Sequence, residues 1–228
     1  MKSREGKETE LWSLVRAIAT GDTTSASRLL LEFPELASET ARVGATRSSS
    51  TPYFVEEIGH HIYAGDTALH VAAAAYRTDM AQKLIANGAN VSASNRRGAQ
   101  PLHYASVGQP GSTTWAPKSQ AAVVTLLLNA GADPNAVDNS GVTPLHKAVR
   151  TRCTAAVRVL LAHGADPRLK NGSGSTPLHL AVHNTGRTGS GSAASAEEQR
   201  KIIHLLMEHG ARPDDRDAER VGQIQSSF

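Results

Sequence analysis

One cysteine, Cys153, is the only thiol in 228 residues, so no internal disulfide framework holds this chain together. Aromatic residues make up only 4% of it, which excludes a core built on large rings. No apolar run approaches the roughly 20 residues of a membrane-crossing helix. The start, Met1 to Glu8, mixes charges and lacks the apolar stretch of a secretory leader. The expectation is therefore a soluble protein of a reducing compartment, the cytoplasm. Charge of one sign is also scarce. The 24 Lys and Arg are interspersed with 21 Asp and Glu for a net +3, too dilute to form the dense basic patch of a nucleic-acid binder. Catalytic signatures are missing as well, with no His-Glu-x-x-His, Gly-x-Ser-x-Gly or Walker-type loop. The glycine-rich stretch from Gly186 to Gly191 follows no strand and lacks phosphate-loop spacing.

What the sequence does contain is a repeat. Gly65-Asp66-Thr67-Ala68-Leu69-His70, Gly98-Ala99-Gln100-Pro101-Leu102-His103, Gly141-Val142-Thr143-Pro144-Leu145-His146 and Gly174-Ser175-Thr176-Pro177-Leu178-His179 align. A second series, Asn87-Gly88-Ala89-Asn90, Ala130-Gly131-Ala132-Asp133, His163-Gly164-Ala165-Asp166 and His209-Gly210-Ala211-Arg212, aligns with it. Gly65 to Gly98 and Gly141 to Gly174 are both 33 residues; Gly98 to Gly141 is 43, and Gly174 to Gly222 is 48. Each unit reads as turn, helix, turn, helix. Thr143 and Thr176 stand where an N-cap hydroxyl accepts from a helical N–H, and Pro144 and Pro177 follow at the first helical position. Apolar residues such as Met80, Ala81, Leu84 and Ile85 recur at i, i+3, i+4 in the second helix. Gly88, Gly131, Gly164 and Gly210 then supply left-handed C-terminal caps.

Gly-x-Thr-Pro-Leu-His-x-Ala at this spacing resembles the ankyrin repeat. The resemblance implies an all-α repeat solenoid of stacked helix-turn-helix units joined by β-hairpin-type loops, with a concave face of hairpin tips and first helices. It implies a partner-binding scaffold with no cofactor. The resulting layout is a polar tail at 1–10, an N-terminal capping helix pair at 11–40, and an extended hairpin at 41–64. Repeats follow at 65–97, 98–140 (inserted loop 109–118), 141–173 and 174–221 (flexible insertion 185–197), then a tail at 222–228. No full closing unit is present, so the C-terminal end is expected to fray or to be covered by a partner. Gln100 in place of a capping threonine is expected to cost roughly 0.5–2 kcal/mol.

By the same resemblance His70, His103, His146 and His179, with Thr67, Thr143 and Thr176, are structural residues of the hairpin turns. The partner-binding candidates are Tyr63, Asp66, Arg96, Arg97, Asn139, Ser140, Arg150 and His183, with Val142, Thr151 and Asn184 beside them. Trp115, on a polar loop, is either a staple or an exposed binding ring. Tyr53, Phe54 and Tyr63 of the enlarged hairpin are further contact candidates, and Trp12 reads as an anchor of the N-terminal cap. Arg96, Arg97 and Arg150 favour an acidic protein segment as partner, because guanidinium groups fork onto carboxylates. No metal site is expected: His60 and His61 would point to opposite faces of a strand, and His183 and His204 have no acid or thiol at ligand spacing. Two other classes stay open. One is an enzyme with a cryptic His/Cys centre, in which Arg150 and Arg152 lower the thiol pKa of an exposed Cys153. The other is nucleic-acid binding through the arginines.

Overall fold

The computed structural model describes residues 4–108, 116–183 and 193–225. Trp115, Asn184, most of the 109–118 loop and residues 185–192 of the second insertion lie outside them. Two compact units are formed, Met1–Ala105 with Leu126–Ala132, and Ser106–Thr125 with Asp133–Phe228.

The first unit opens with α1 (Arg4–Thr20) and α2 (Thr23–Glu32). Residues 4–10 thus extend the first capping helix rather than form a tail. Asp22 caps α2 by accepting from the Ser25 N–H at 2.9 Å, and a 3₁₀ turn at Pro34–Ala37 follows it. A short hairpin lies between residues 41 and 64. Strands β1 (Phe54–Val55) and β2 (His60–His61) pair antiparallel, Phe54 opposite His61 and Val55 opposite His60. A 3₁₀ turn at Glu56–Ile58 and left-handed Gly59 close it. Helices α3 (Ala68–Ala74), α4 (Thr78–Ala86) and α5 (Pro101–Ala105) complete the repeats of this unit, and α6 (Pro117–Asn129) follows in the chain. The second unit carries α7 (Pro144–Arg150), α8 (Thr154–Ala162), α9 (Pro177–Val182), α10 (Ala193–Glu208) and α11 (Asp215–Gln225).

Layering follows the repeat. First helices pack on first helices, α1 on α3, α3 on α5 and α7 on α9; the second helices α8 and α10 pack on each other. Paired helices also pack, α3 on α4 and α7 on α8. Leu69, Leu102, Leu145 and Leu178 hold one repeat position and are all completely buried. Each such side chain contributes about 1.5–3 kcal/mol. Small residues behind them (Ala72, Ala73, Ala105, Ala148) are equally buried and let neighbouring helices approach.

Among the described residues the turn between paired helices is left-handed at Gly21 (φ 82°), Tyr76 (φ 54°) and Arg152 (φ 56°). The next residue's N–H closes each turn on a carbonyl five residues back, as in Arg77 to Ala72 and Cys153 to Ala148, both 2.9 Å. Successive fingers meet backbone to backbone. The Gly172 N–H donates to the Ser140 carbonyl at 2.8 Å, and a Cβ on Gly141 would lie 2.8 Å from the Gly172 nitrogen.

The histidines tie one finger to the next. The Thr67 N–H donates to His70 Nδ1 at 3.1 Å, which leaves the proton on Nε2, 3.1 Å from the Ala99 carbonyl oxygen one repeat on. His146 repeats this, with Nδ1 on Thr143 and Nε2 3.0 Å from the Ser175 carbonyl oxygen. Thr143 and Thr176 cap as expected, accepting from the His146 and His179 N–H at 3.3 and 3.1 Å. At the position of the missing threonine, Gln100 still donates its N–H to His103 Nδ1, but its Oε1 is buried with no hydrogen-bond partner.

The tail differs from expectation. Residues 193–197 of the presumed flexible insertion begin α10, and the chain beyond Gly210 forms α11 instead of a fraying finger. Gly222 sits inside that helix rather than at a hairpin. Asp214 caps α11, accepting from the Asp217 N–H at 3.1 Å, and α11 packs on α9 and α10 with Val221 buried. A closing element is therefore present.

Gln100→Thr restores a capping hydroxyl and removes a buried orphan oxygen. It is expected to raise unfolding stability by about 0.5–2 kcal/mol, read by urea denaturation. Burial holds the His70 imidazole below its ordinary value of 6.5, outweighing the opposing pull of Asp66, and burial lowers His146 as well. The unfolded chain therefore protonates these groups first, and stability is full above about pH 6.5 and lost as the pH falls. Thermal melts should drop between pH 7 and pH 5. The His70→Asn/His146→Asn variant, although less stable, should show a flatter slope across that window.

Candidate functional site

In the first unit, three of the expected contact residues come together at the finger tips. The half-buried Tyr63 ring carries two exposed guanidinium groups, Arg96 at 5.5 Å and Arg97 at 5.1 Å from its centroid. Arg97 Nη1 donates to the Tyr63 hydroxyl at 3.3 Å. Arg96 donates through Nη2 to the Ala45 carbonyl, so it also braces the enlarged hairpin. Stacking fixes both charges in orientation at modest desolvation cost. Phe54, 45% exposed, and His61 stand next to each other with ring centroids 4.9 Å apart, and His61 lies 6.4 Å from Tyr63. His60 instead lies against Tyr104, 5.2 Å away, as the strand alternation requires.

Asp66 does not belong to this surface. It is 2% exposed, and its carboxylate accepts from the Tyr63 N–H at 2.7 Å, from Asn95 Nδ2 at 2.8 Å and from the Tyr104 hydroxyl at 2.9 Å. Burial, then the adjacent Asp66 charge, pushes the Tyr104 phenol far up and keeps it protonated as a donor. Asp66 is a bracket between fingers and is corrected from contact residue to structural residue. Trp12 is half-buried in α1, its Nε1 on Glu8 at 3.2 Å and its ring 6.1 Å from Tyr53, as an anchor should be. A groove of about 830 Å³ runs beside it, lined by Arg16, Thr20, Ser25 and Arg28 among others.

The second unit presents Asn139, Ser140 and Arg150 as exposed residues. Asp138 builds the tip beneath them. Its Oδ1 accepts from the Ser140 and Val142 N–H at 2.9 and 3.0 Å, and Lys147 Nζ is 3.2 Å from its Oδ2. Burial raises the Asp138 pKa, but the Val142 N–H, Lys147 and the Ser140 N–H outweigh it and hold it low. Cys153 lies below, 1% exposed, and burial pushes its thiol up to about 11. Cys153 is thus not the exposed thiol that activation by Arg150 and Arg152 would require, because the thiolate is suppressed where it sits.

The expectation that His183 has no acidic partner is overturned too. His183 Nε2 and His179 Nδ1 each lie 3.0 Å from Asp217 Oδ1. The two rings stand 4.2 Å apart, His183 being the C-cap residue of α9, and Arg220 Nη1 donates to His183 Nδ1 at 3.0 Å. Asp217 is 34 residues beyond His183, a separation that local spacing does not reveal. A signal was nonetheless present: Asp217 follows Gly210 by the seven residues that separate Asn95, Asp138 and Asn171 from Gly88, Gly131 and Gly164. Those three side chains close finger turns, whereas Asp217, in a helix, turns to the histidines. His204 also has an acid, Glu208 at 3.2 Å on the next turn, but this pair is exposed.

Among known proteins, the family model "Ankyrin repeats (3 copies)" matches residues 14–113, and "Ankyrin repeats (many copies)" matches 127–181. The single "Ankyrin repeat" model matches 97–139 and 173–218. A segment of 93 residues is 38% identical to human BCL-6 corepressor-like protein 1, covering 41% of this chain and 5% of that protein. No helix among the described residues is long and apolar enough to cross a membrane. With Thr-His turns, paired helices and finger-to-finger bonds recurring in register across the matched segments, this chain belongs to the ankyrin repeat family.

Proposed function

We propose that this chain is a non-catalytic protein-binding module that captures an acidic segment of a partner on its finger tips, in a reducing compartment such as the cytoplasm. The observation that carries this reading is the pair of exposed guanidinium groups held over Tyr63. Their stacking restricts the side chains before binding, so less ordering entropy is lost when carboxylates arrive. The adjacent exposed Phe54 offers apolar area beside the charge. Asn139, Ser140 and Arg150 supply polar and positive groups at the corresponding places of the second unit. Support also comes from the family, whose repeats bind proteins, and from the likeness to part of a corepressor-like protein. The suppressed thiol of Cys153 speaks against the His/Cys centre.

The test uses a fluorescent glutamate-rich peptide and a single-stranded DNA of equal charge. The peptide is expected to bind and Arg97→Glu to weaken it at least tenfold with an unchanged melting temperature. Arg96→Ala should weaken binding and also lower the melting temperature, because it releases the Ala45 carbonyl. Peptide binding that is indifferent to Arg97→Glu, or tighter binding of the DNA, would reject this face or this partner class.

A further inference from the structure

We propose that His179, His183 and Asp217 form a binding site for a divalent transition ion of the zinc type, which clamps the C-terminal helix α11 onto α9. One ligand atom from each residue, His179 Nδ1, His183 Nε2 and Asp217 Oδ1, lies within 4.8 Å of the others, with both nitrogens 3.0 Å from the oxygen. Donors of a tetrahedral zinc site, bound at about 2.0–2.1 Å, stand about 3.3 Å apart, so small side-chain shifts suffice. The donor set suits the ion: two imidazoles and one carboxylate leave a fourth position for water.

Burial supplies both rigidity and access. Asp217 is 3% exposed at its side chain and sits on a capped helix, whereas the imidazoles are 30% and 27% exposed and leave an open approach. Proton bookkeeping is explicit. In the metal-free state Arg220 donates to His183 Nδ1, so the His183 proton resides on Nε2 and points at Asp217. Binding releases that Nε2 proton and the proton His179 Nδ1 holds against Asp217. Each imidazole is then neutral through a proton on its other nitrogen, taken up from water, and Arg220 is displaced into solvent. For neutral imidazoles the protons only change nitrogens, and the net release on binding is zero. Arg220 also places a positive charge beside the ion and opposes binding.

Zinc chloride alone is titrated into the full chain by calorimetry, and cobalt(II) is followed by its visible absorption. One equivalent is expected to bind, with a tetrahedral cobalt spectrum and a raised melting temperature. Asp217→Asn and His183→Gln should each lower affinity at least tenfold, and His204→Ala, which removes the exposed competing pair, should leave it unchanged. Arg220→Ala, a variant that leaves all three ligands in place, should tighten binding several-fold. Stoichiometric binding unaffected by Asp217→Asn and His183→Gln, an octahedral cobalt spectrum, or weaker binding in Arg220→Ala would overturn the proposal.

Discussion

A neutral imidazole bridging two successive fingers is the joint on which this structure depends. His70 and His146 each accept at Nδ1 from a threonine of their own turn and donate from Nε2 to a carbonyl in the following repeat. The geometry works in one protonation state only. A second proton on Nδ1 would face the threonine N–H donor, in a place where water cannot compensate. Burial therefore does more than exclude solvent, because it selects the tautomer that makes the joint directional.

That directionality explains how contact residues come to be presented. The finger tips Asn95 to Gly98 and Asp138 to Gly141 are fixed by Asx side chains accepting from N–H groups two and four residues on. With the loop backbone closed in this way, the side chains between have nowhere to go but outward. Arg96 and Arg97 reach solvent over Tyr63 for this reason, and Asp66, one residue after a turn glycine, is drawn inward by Asn95 and Tyr104. A carboxylate satisfied by three donors inside the stack holds fingers together; a guanidinium over a ring meets a partner.

Much of this was legible in the sequence. Repeat spacing, threonine caps, first-turn prolines and glycine stops all mark local geometry, and local geometry is what a linear pattern encodes. A hairpin within 41–64 was suggested by the short strand-like runs Tyr53 to Val55 and Ile58 to Tyr63. What was not legible depended on distant chain segments. The burial of Asp66 requires Asn95 and Tyr104 around it. Finger tips look alike in sequence whether their side chains face solvent or a neighbouring turn.

The end of the array shows the same constraint in its most demanding form. A histidine at the repeat position expects a carbonyl from a following finger, and His179 has none, because the residues after Asp214 wind into α11. An imidazole left there without an acceptor would be half-buried and unsatisfied, at a cost of about 1–3 kcal/mol. Asp217, from within the helix that replaces the finger, meets His179 at Nδ1, the nitrogen that His70 and His146 turn to their own threonine, and it serves His183 with the same oxygen. A carboxylate beside the last repeat histidine changes the chemistry of this end of the array. A backbone carbonyl is a neutral acceptor, whereas a carboxylate between two imidazoles carries charge and offers a donor set to a cation. The repeat's structural histidine thereby acquires, at the last position alone, surroundings that can do more than hold a turn.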